Sequence, residues 1–154
     1  MQHLLHIFDQ NRKNIIALLG RHTLAQVNTI PPGFNNNMIW NAGHILLGQQ
    51  YQLYHLSGLP MLDFVKEFAP KYGEHTKPDG NASQTELDMI IDHLGSTTKK
   101  AMDDYNNGIF KTYQRYTCKY YGITMQNIEE AIQFNNYHEG FHFGTMSAIK
   151  SGLR

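Results

Sequence analysis

Apolar residues recur at helical spacing in the first part of the chain. Within residues 4–24, apolar side chains recur near helical spacing at Leu4, Ile7, Phe8, Ile15, Leu18 and Leu19. Residues 38–56 repeat this pattern after three consecutive asparagines, a residue type that commonly caps the start of a helix. Gly58 and Pro60 disfavour any continuation. The pattern predicts two amphipathic helices, separated by a break at Pro31 and Pro32.

A long connection and a third helix follow. Residues 59–82 contain several prolines and glycines, which predict irregular structure with one short helical turn near residues 62–68. Ser83 and Glu86 have the spacing of a capping box. We therefore predict that the third helix begins at Ser83 and runs to about Tyr105.

The last helix is predicted to begin with Thr124 as its N-cap and to stop near Ser151 and Gly152. Four amphipathic helices with one long connection, between the second and the third, favour an all-α four-helix bundle. The length of 154 residues suits a single domain over residues 1–154. Bundles of this kind build metal and cofactor sites from side chains on facing helices.

Residues 106–123 fit extended structure about as well as helix. Tyrosines alternate with lysine and arginine from residue 110 to residue 121, as they do on surfaces that bind single-stranded nucleic acid. Thirteen basic residues balance thirteen acidic ones, however, so the chain has little long-range attraction for phosphate. We favour a tyrosine-rich cover over one end of the bundle, or a contact between copies, and expect no nucleic-acid partner.

The composition bears on where in the cell the protein is expected. Apolar residues form 41% of the chain, and no apolar run approaches the roughly 18 residues of a membrane span, so no membrane partner is expected. The N-terminus lacks the features of a secretory signal. The single cysteine, Cys118, cannot form an internal disulfide, which favours a cytoplasmic location. Cys118 is either a reactive thiol or an inert small apolar residue.

The candidate chemistry lies in the last helix, where His138 and His142 are four residues apart. On a helix these two imidazoles point the same way, roughly 6 Å apart along the axis, and both can reach one ion. With Glu139 they also match the H-E-x-x-H string of metalloproteases. That arrangement needs a third ligand downstream, and none of the twelve residues after His142 is His, Asp, Glu or Cys.

Any third ligand therefore lies upstream, and His44 is the strongest candidate. It shares one face of the second helix with Trp40, Leu47 and Tyr51. A histidine on an apolar face needs a partner, because burying an unpaired polar group is unfavourable. That partner is either a metal ion or a hydrogen-bonding group of the core, and residue spacing leaves both alternatives open.

Two segments carry a family resemblance. Residues 37–46, Asn-Met-Ile-Trp-Asn-Ala-Gly-His-Ile-Leu, and residues 136–144, Asn-Tyr-His-Glu-Gly-Phe-His-Phe-Gly, resemble the tryptophan-to-histidine stretch and the H-x-x-x-H-x-G signature of the DinB/YfiT-like superfamily. The resemblance implies an up-down-down-up four-helix bundle, a metal held by His44, His138 and His142, and a homodimer. Characterised members of that superfamily use the metal to activate a thiol or water. They include thiol S-transferases and a mycothiol-dependent isomerase.

The chain departs from the family pattern at two positions. Thr145 stands where the family usually has Gln, and Phe141 stands where a further His is frequent. Glu139 occupies a variable position, so the resemblance assigns it no catalytic role. The expectation is a metal-dependent hydrolase or thiol S-transferase that acts on a small-molecule substrate and holds one divalent ion, Zn, Ni or Fe. The alternatives are a non-catalytic metal-binding protein and an interaction module.

Overall fold

The computed structural model describes residues 1–153, which are mostly helical. This agrees with the predicted all-α class. The helices are α1 (Gln2–Gly20), α2 (Leu24–Asn28), α3 (Met38–Gln49), α4 (Phe64–Tyr72), α5 (Gln84–Asn106) and α6 (Ile128–Gly152). A π-helical turn (Gln50–Tyr54) and a 3-10 turn (His55–Ser57) extend α3. Two short antiparallel strands, β1 (Tyr116–Cys118) and β2 (Ile123–Met125), form a hairpin.

Side-chain caps begin three of the long helices. The side chains of Asn37, Ser83 and Asn127 each accept a hydrogen bond from a backbone N–H in the first turn of α3, α5 and α6. These caps confirm the predicted starts of the second and third helices. They satisfy backbone donors that have no partner within the helix.

Three predicted boundaries were wrong. Thr124 does not cap the last helix but lies in β2, where its hydroxyl is 2.9 Å from that of Thr117. Because Thr124 pairs with Thr117 across the two strands, it does not cap the last helix. The first helix ends at Gly20, because Thr23 forms a capping box that starts the separate helix α2. The connection after α3 holds a nine-residue helix, α4, rather than a short turn.

The four long helices enclose two apolar clusters with a polar layer between them. Helix α1 contacts α5 and α6, and α3 contacts the same two helices. One cluster contains Ile15, Ile45 and Ile90, and the other contains Phe8 and Leu53. At the level between them every long helix carries buried polar side chains, including Arg12, Gln49, Thr97, Asn135 and Glu139.

Helix α4 packs against α3 beside the polar layer. Gly43 permits this, because a Cβ added there would lie inside contact distance of the Tyr72 ring. The main chain of α4 thereby comes beside the side chain of His44. In the described part of the chain no helix combines the length and apolar character that a membrane crossing requires. The single domain over residues 1–154 stays a prediction.

Candidate metal centre

Three histidines from two helices converge on one point. One ring nitrogen each of His44, His138 and His142 lies within 4.8 Å of one from each of the others. The Nε2 atoms of His138 and His142 are 3.2 Å apart. Two nitrogens bound to one tetrahedral zinc ion at 2.0–2.1 Å sit roughly 3.3 Å apart. The pair on α6 therefore already has the spacing of two metal ligands, as the helical i, i+4 arrangement predicts.

The protonation of His142 follows from its neighbour on α3. His142 Nδ1 is 2.7 Å from Asn41 Oδ1. The amide orientation of Asn41 is settled, because its Nδ2 donates to Asn37 O at 2.7 Å and to Asn36 Oδ1 at 3.0 Å. Asn41 Oδ1 is thus an acceptor, and His142 Nδ1 carries the proton. The Nε2 of the neutral ring then offers its lone pair toward the other two histidines.

A backbone carbonyl orients His44 in the same way. Its Nδ1 donates to the carbonyl oxygen of Tyr72 at 2.8 Å, an atom that can only accept. The ring also stacks on the Trp40 indole, with centroids 4.8 Å apart and planes 9° apart. Outer partners of this kind fix the tautomer and ring orientation of metal-binding histidines. The half-buried His44 is therefore held with Nε2 available.

His138 has no such partner. It is 6% exposed, and within residues 1–153 its buried Nδ1 finds no hydrogen bond. Gly48 of α3 makes room for the ring, since an added Cβ there would lie 3.0 Å from His138 Cε1. On the other side of the ring, Nε2 lies 3.2 Å from His142 Nε2. The buried Nδ1 without a partner is unfavourable, and a bound cation would replace the contact between the two Nε2 atoms, with both as ligands.

Burial keeps the three rings neutral. Removal from water lowers the pKa of His138 to about 3, and the neighbouring charges of His44 and Arg12 act in the same direction. Burial likewise lowers the pKa of His142 to about 2, with help from His138 and His44. The pKa of His44 is also lowered by burial, against a smaller opposing effect of the Tyr72 hydrogen bond. Neutral imidazole is the form that binds metal, so the donor set fits a divalent ion.

Glu139 faces away from this cluster. Its Oε1 accepts hydrogen bonds from Arg12 Nη2 at 2.7 Å and from Asn135 Nδ2 at 2.8 Å. Both members of the Arg12–Glu139 ion pair are almost completely buried. Arg12 also donates to Gln49 Oε1 at 3.2 Å. Within the H-E-x-x-H string the carboxylate thus serves the core, which excludes the metalloprotease arrangement that places it beside the ion.

A cavity of about 690 Å³ opens beside the three histidines. Its walls come from α3, α4, the segment after α4, the β1–β2 hairpin and α6. All three histidines line it, as does the half-buried thiol of Cys118. Small-molecule sites typically have volumes of about 300–1,000 Å³. The cluster is therefore reachable by a ligand of that size.

The two departures from the family pattern have different surroundings. Thr145 is half-buried and its hydroxyl donates to the Phe141 carbonyl within its own helix, at 3.1 Å. Phe141 is 47% exposed and lines the cavity, so an apolar ring occupies that part of the wall.

Sequence reasoning missed the groups that orient the site. Asn41 gave a usable signal, because it is a polar residue inside the apolar stretch of α3, three positions before His44. Arg12 gave a similar one, since it shares the apolar stripe of α1 with Phe8 and Ile15. The Tyr72 carbonyl gave none, because every residue has a backbone carbonyl and only the packing of α4 selects this one.

Comparison with known proteins identifies the family. The DinB superfamily model matches residues 7–146. Among curated proteins, no sequence matches the chain. A crystal structure of a conserved protein from Enterococcus faecalis superposes with a TM-score of 0.67 over 96% of this chain and 93% of that one. At 14% identity this likeness shows a shared fold alone. By the match to its family model, the chain belongs to the DinB superfamily.

Proposed function

We propose that His44, His138 and His142 hold one divalent metal ion, zinc, nickel or iron, and that the protein is a metal-dependent hydrolase or thiol S-transferase. One observation carries the proposal. Three neutral imidazoles converge at the end of a cavity, and two of them are oriented by acceptors on Nδ1. DinB superfamily membership supports it, since that superfamily is metal-associated.

A divalent ion held by three histidines keeps a coordination position open and lowers the pKa of a bound water or thiol. The chain's own residues prepare that position. Asn41 and Tyr72 hold two of the rings in the ligating tautomer. Aromatic side chains line the cavity around the open side. Glu139 takes no part, because Arg12 and Asn135 engage it on the other side of α6.

Metal content tests the site directly. Wild-type protein should contain close to one equivalent of metal per chain, and each of His44→Ala, His138→Ala and His142→Ala should lose most of it. His6→Ala is the matched control, because His6 is exposed on α1 and should leave the content unchanged. Metal retained in His44→Ala would show that this residue is not a ligand. Absence of metal from wild type, even after addition of zinc, would refute the proposal.

Activity separates the catalytic proposal from its alternatives. A non-catalytic metal-binding protein would contain metal without turning over substrates. Hydrolase and thiol-transferase screens should therefore compare metal-loaded wild type with His142→Ala. Turnover present in the first and absent in the second supports an enzyme.

Three features expected from the sequence belong to this proposal. The direction of each helix between the two apolar clusters supports the up-down-down-up order. Helices α1 and α6 run from the cluster of Phe8 to that of Ile15, whereas α3 and α5 run the opposite way. The homodimer and the cytoplasmic location stay predictions from the resemblance and from the single cysteine.

A further inference from the structure

The tyrosine-rich segment of the sequence forms one wall of the cavity beside the histidines. Tyr116, Tyr120 and Tyr121 from the β1–β2 hairpin all line it. The Tyr121 ring lies edge-on to His138 at 6.4 Å between centroids, and it contacts Phe141 at 5.9 Å. The segment that looked like a nucleic-acid surface is therefore placed over the candidate metal centre.

This wall is anchored at both ends. Met125 at the end of β2 is fully buried in the cluster that contains Phe8 and Leu53. Ahead of β1, the Gln114 backbone N–H donates to the Leu56 carbonyl at 2.6 Å. Tyr51, from the π-helical turn that extends α3, meets the Tyr116 ring edge-on at 5.5 Å. The aromatic faces thus form a fixed surface rather than a loose loop.

The charge of the lining is the second observation. Among the described residues that line the cavity there is no lysine or arginine. The one carboxylate, Glu74, is 76% exposed at its side chain and so lies at the rim. Arg12 is fully buried behind α6, paired with Glu139, and cannot serve a ligand. His75 also lines the cavity, but its side chain is 90% exposed and lies at the rim. Inside the cavity, among the described residues, a ligand carboxylate or phosphate would therefore find no lysine or arginine, and a bound metal ion would be its cation.

We propose that the cavity selects ligands that offer one donor atom to the metal and carry an uncharged aromatic or apolar body. Aromatic rings gain from stacked and edge-to-face contacts with such a body. A second anionic group would be removed from water without a lysine or arginine to pair with, which is unfavourable. This inference rests on the proposed function for the donor atom, whereas the preference for the body comes from the wall.

Two hydroxamic acids with the same metal-binding group test it. Benzohydroxamic acid carries an uncharged ring, and succinic acid monohydroxamate carries a carboxylate. Trp40, the single tryptophan of the chain, lines the cavity, so its fluorescence reports binding. We expect benzohydroxamic acid to bind at least about ten-fold more tightly than the succinate derivative, the factor that corresponds to 1.4 kcal/mol. Equal affinities, or a preference for the succinate derivative, would overturn the inference.

Titrations with and without zinc distinguish this inference from the proposed function. Calorimetry with zinc alone reports whether the metal binds. Benzohydroxamic acid should remain the preferred ligand in zinc-free protein, at lower affinity, because the wall sets the preference. Loss of zinc binding with the preference intact would refute the metal site alone. Zinc binding without any preference would refute the inference alone.

Two variants locate the effect. Tyr121→Ala should weaken benzohydroxamic acid about five-fold through lost aromatic contact, while Tyr105→Ala, on α5 outside the cavity, should not. Tyr120→Lys adds a cation at a side chain that is 78% exposed, so the fold should tolerate it. It should strengthen binding of the succinate derivative about three-fold. No change in either variant would show that the hairpin does not select the ligand.

Discussion

The two sides of helix α6 use buried polar residues in opposite ways. On one side Glu139 Oε1 accepts from Arg12 and Asn135, so the carboxylate is paired inside the protein, while its buried Oε2 has no hydrogen bond within residues 1–153. On the other, His138 and His142 direct ring nitrogens at each other and at His44, beside a cavity. Adjacent residues of the H-E-x-x-H motif thus have different roles, Glu139 in the core and His138 beside the cavity. We call the side of α6 that carries Glu139 the closed side, and the side that carries His138 and His142 the open side. The closed side supports the fold through contacts within the protein, whereas the open side can bind a ligand.

The largest effect is expected on the closed side. Glu139→Ala leaves the buried guanidinium of Arg12 without its carboxylate, which should lower the free energy of unfolding by about 3–5 kcal/mol. Urea denaturation measures this. Gln133→Ala, on the exposed face of the same helix, should change it by less than about 0.5 kcal/mol. Replacing the pair together, as Arg12→Met with Glu139→Leu, should recover most of the loss.

Zinc affinity of Glu139→Ala sharpens the comparison further. If Glu139 serves only the core, calorimetry of the folded variant should show zinc affinity within a few-fold of wild type. A large loss of affinity in a folded protein would mean that the two sides of α6 are not independent.

Lowering the pH should destabilise the fold through His138 and His142 on the open side. In metal-free protein the folded-state pKa of His138 is about 3 and that of His142 about 2, both below the ordinary histidine value of 6.5. Between pH 6.5 and 3 the unfolded chain therefore binds more protons than the folded one, and stability falls as the pH is lowered through this range. The loss from pH 7 to pH 5 should be about 2 kcal/mol per histidine.

Urea denaturation with a chelator at each pH measures this dependence. His138→Leu should flatten it, whereas His6→Ala should leave it unchanged. An unaltered slope in His138→Leu would place the acid sensitivity outside the open side of α6.

Helix α4 supports both the apolar cluster of Ile15 and the orientation of His44 on the open side. Gly43→Ala forces the Tyr72 ring away from α3, and overpacking of this kind should destabilise the fold by about 1–3 kcal/mol. Because it also shifts the carbonyl that orients His44, zinc affinity should fall as well. Gly95→Ala is the matched control, since an added Cβ there meets nothing within 4 Å. Thermal denaturation should show that variant to be as stable as wild type or slightly more stable.

The smallest expected effect concerns the orientation of one ring. Asn41→Ala removes the acceptor that holds the His142 tautomer, and zinc affinity should fall about ten- to hundred-fold. Asn41→Asp keeps an acceptor and should retain affinity, and Asn36→Ala should have little effect. Calorimetric titration with zinc measures all three. Equal losses in Asn41→Ala and Asn41→Asp would show that the amide contributes something other than its oxygen.

Local signals predicted much of the fold. Asn37 and Ser83 were identifiable as caps, because a cap depends on a few neighbouring residues. The prediction of Thr124 as a cap was wrong because local sequence does not show its strand pairing with Thr117, seven residues away. The aromatic segment stayed ambiguous because its conformation is set by contacts with α3 and α6 rather than by its own pattern.

The sequence by itself determined the pairing of His138 with His142, because helical geometry brings residues four apart onto one face. The apolar face of the second helix made His44 the strongest candidate for a third ligand, and the family motifs made it an expectation. Only the tertiary structure decided that Glu139 pairs with Arg12. It also decided that the Tyr72 carbonyl and Asn41 orient two of the rings, and that the β1–β2 hairpin forms one wall of the cavity. These contacts join residues far apart in the chain. They depend on how helices pack, and no local spacing encodes that.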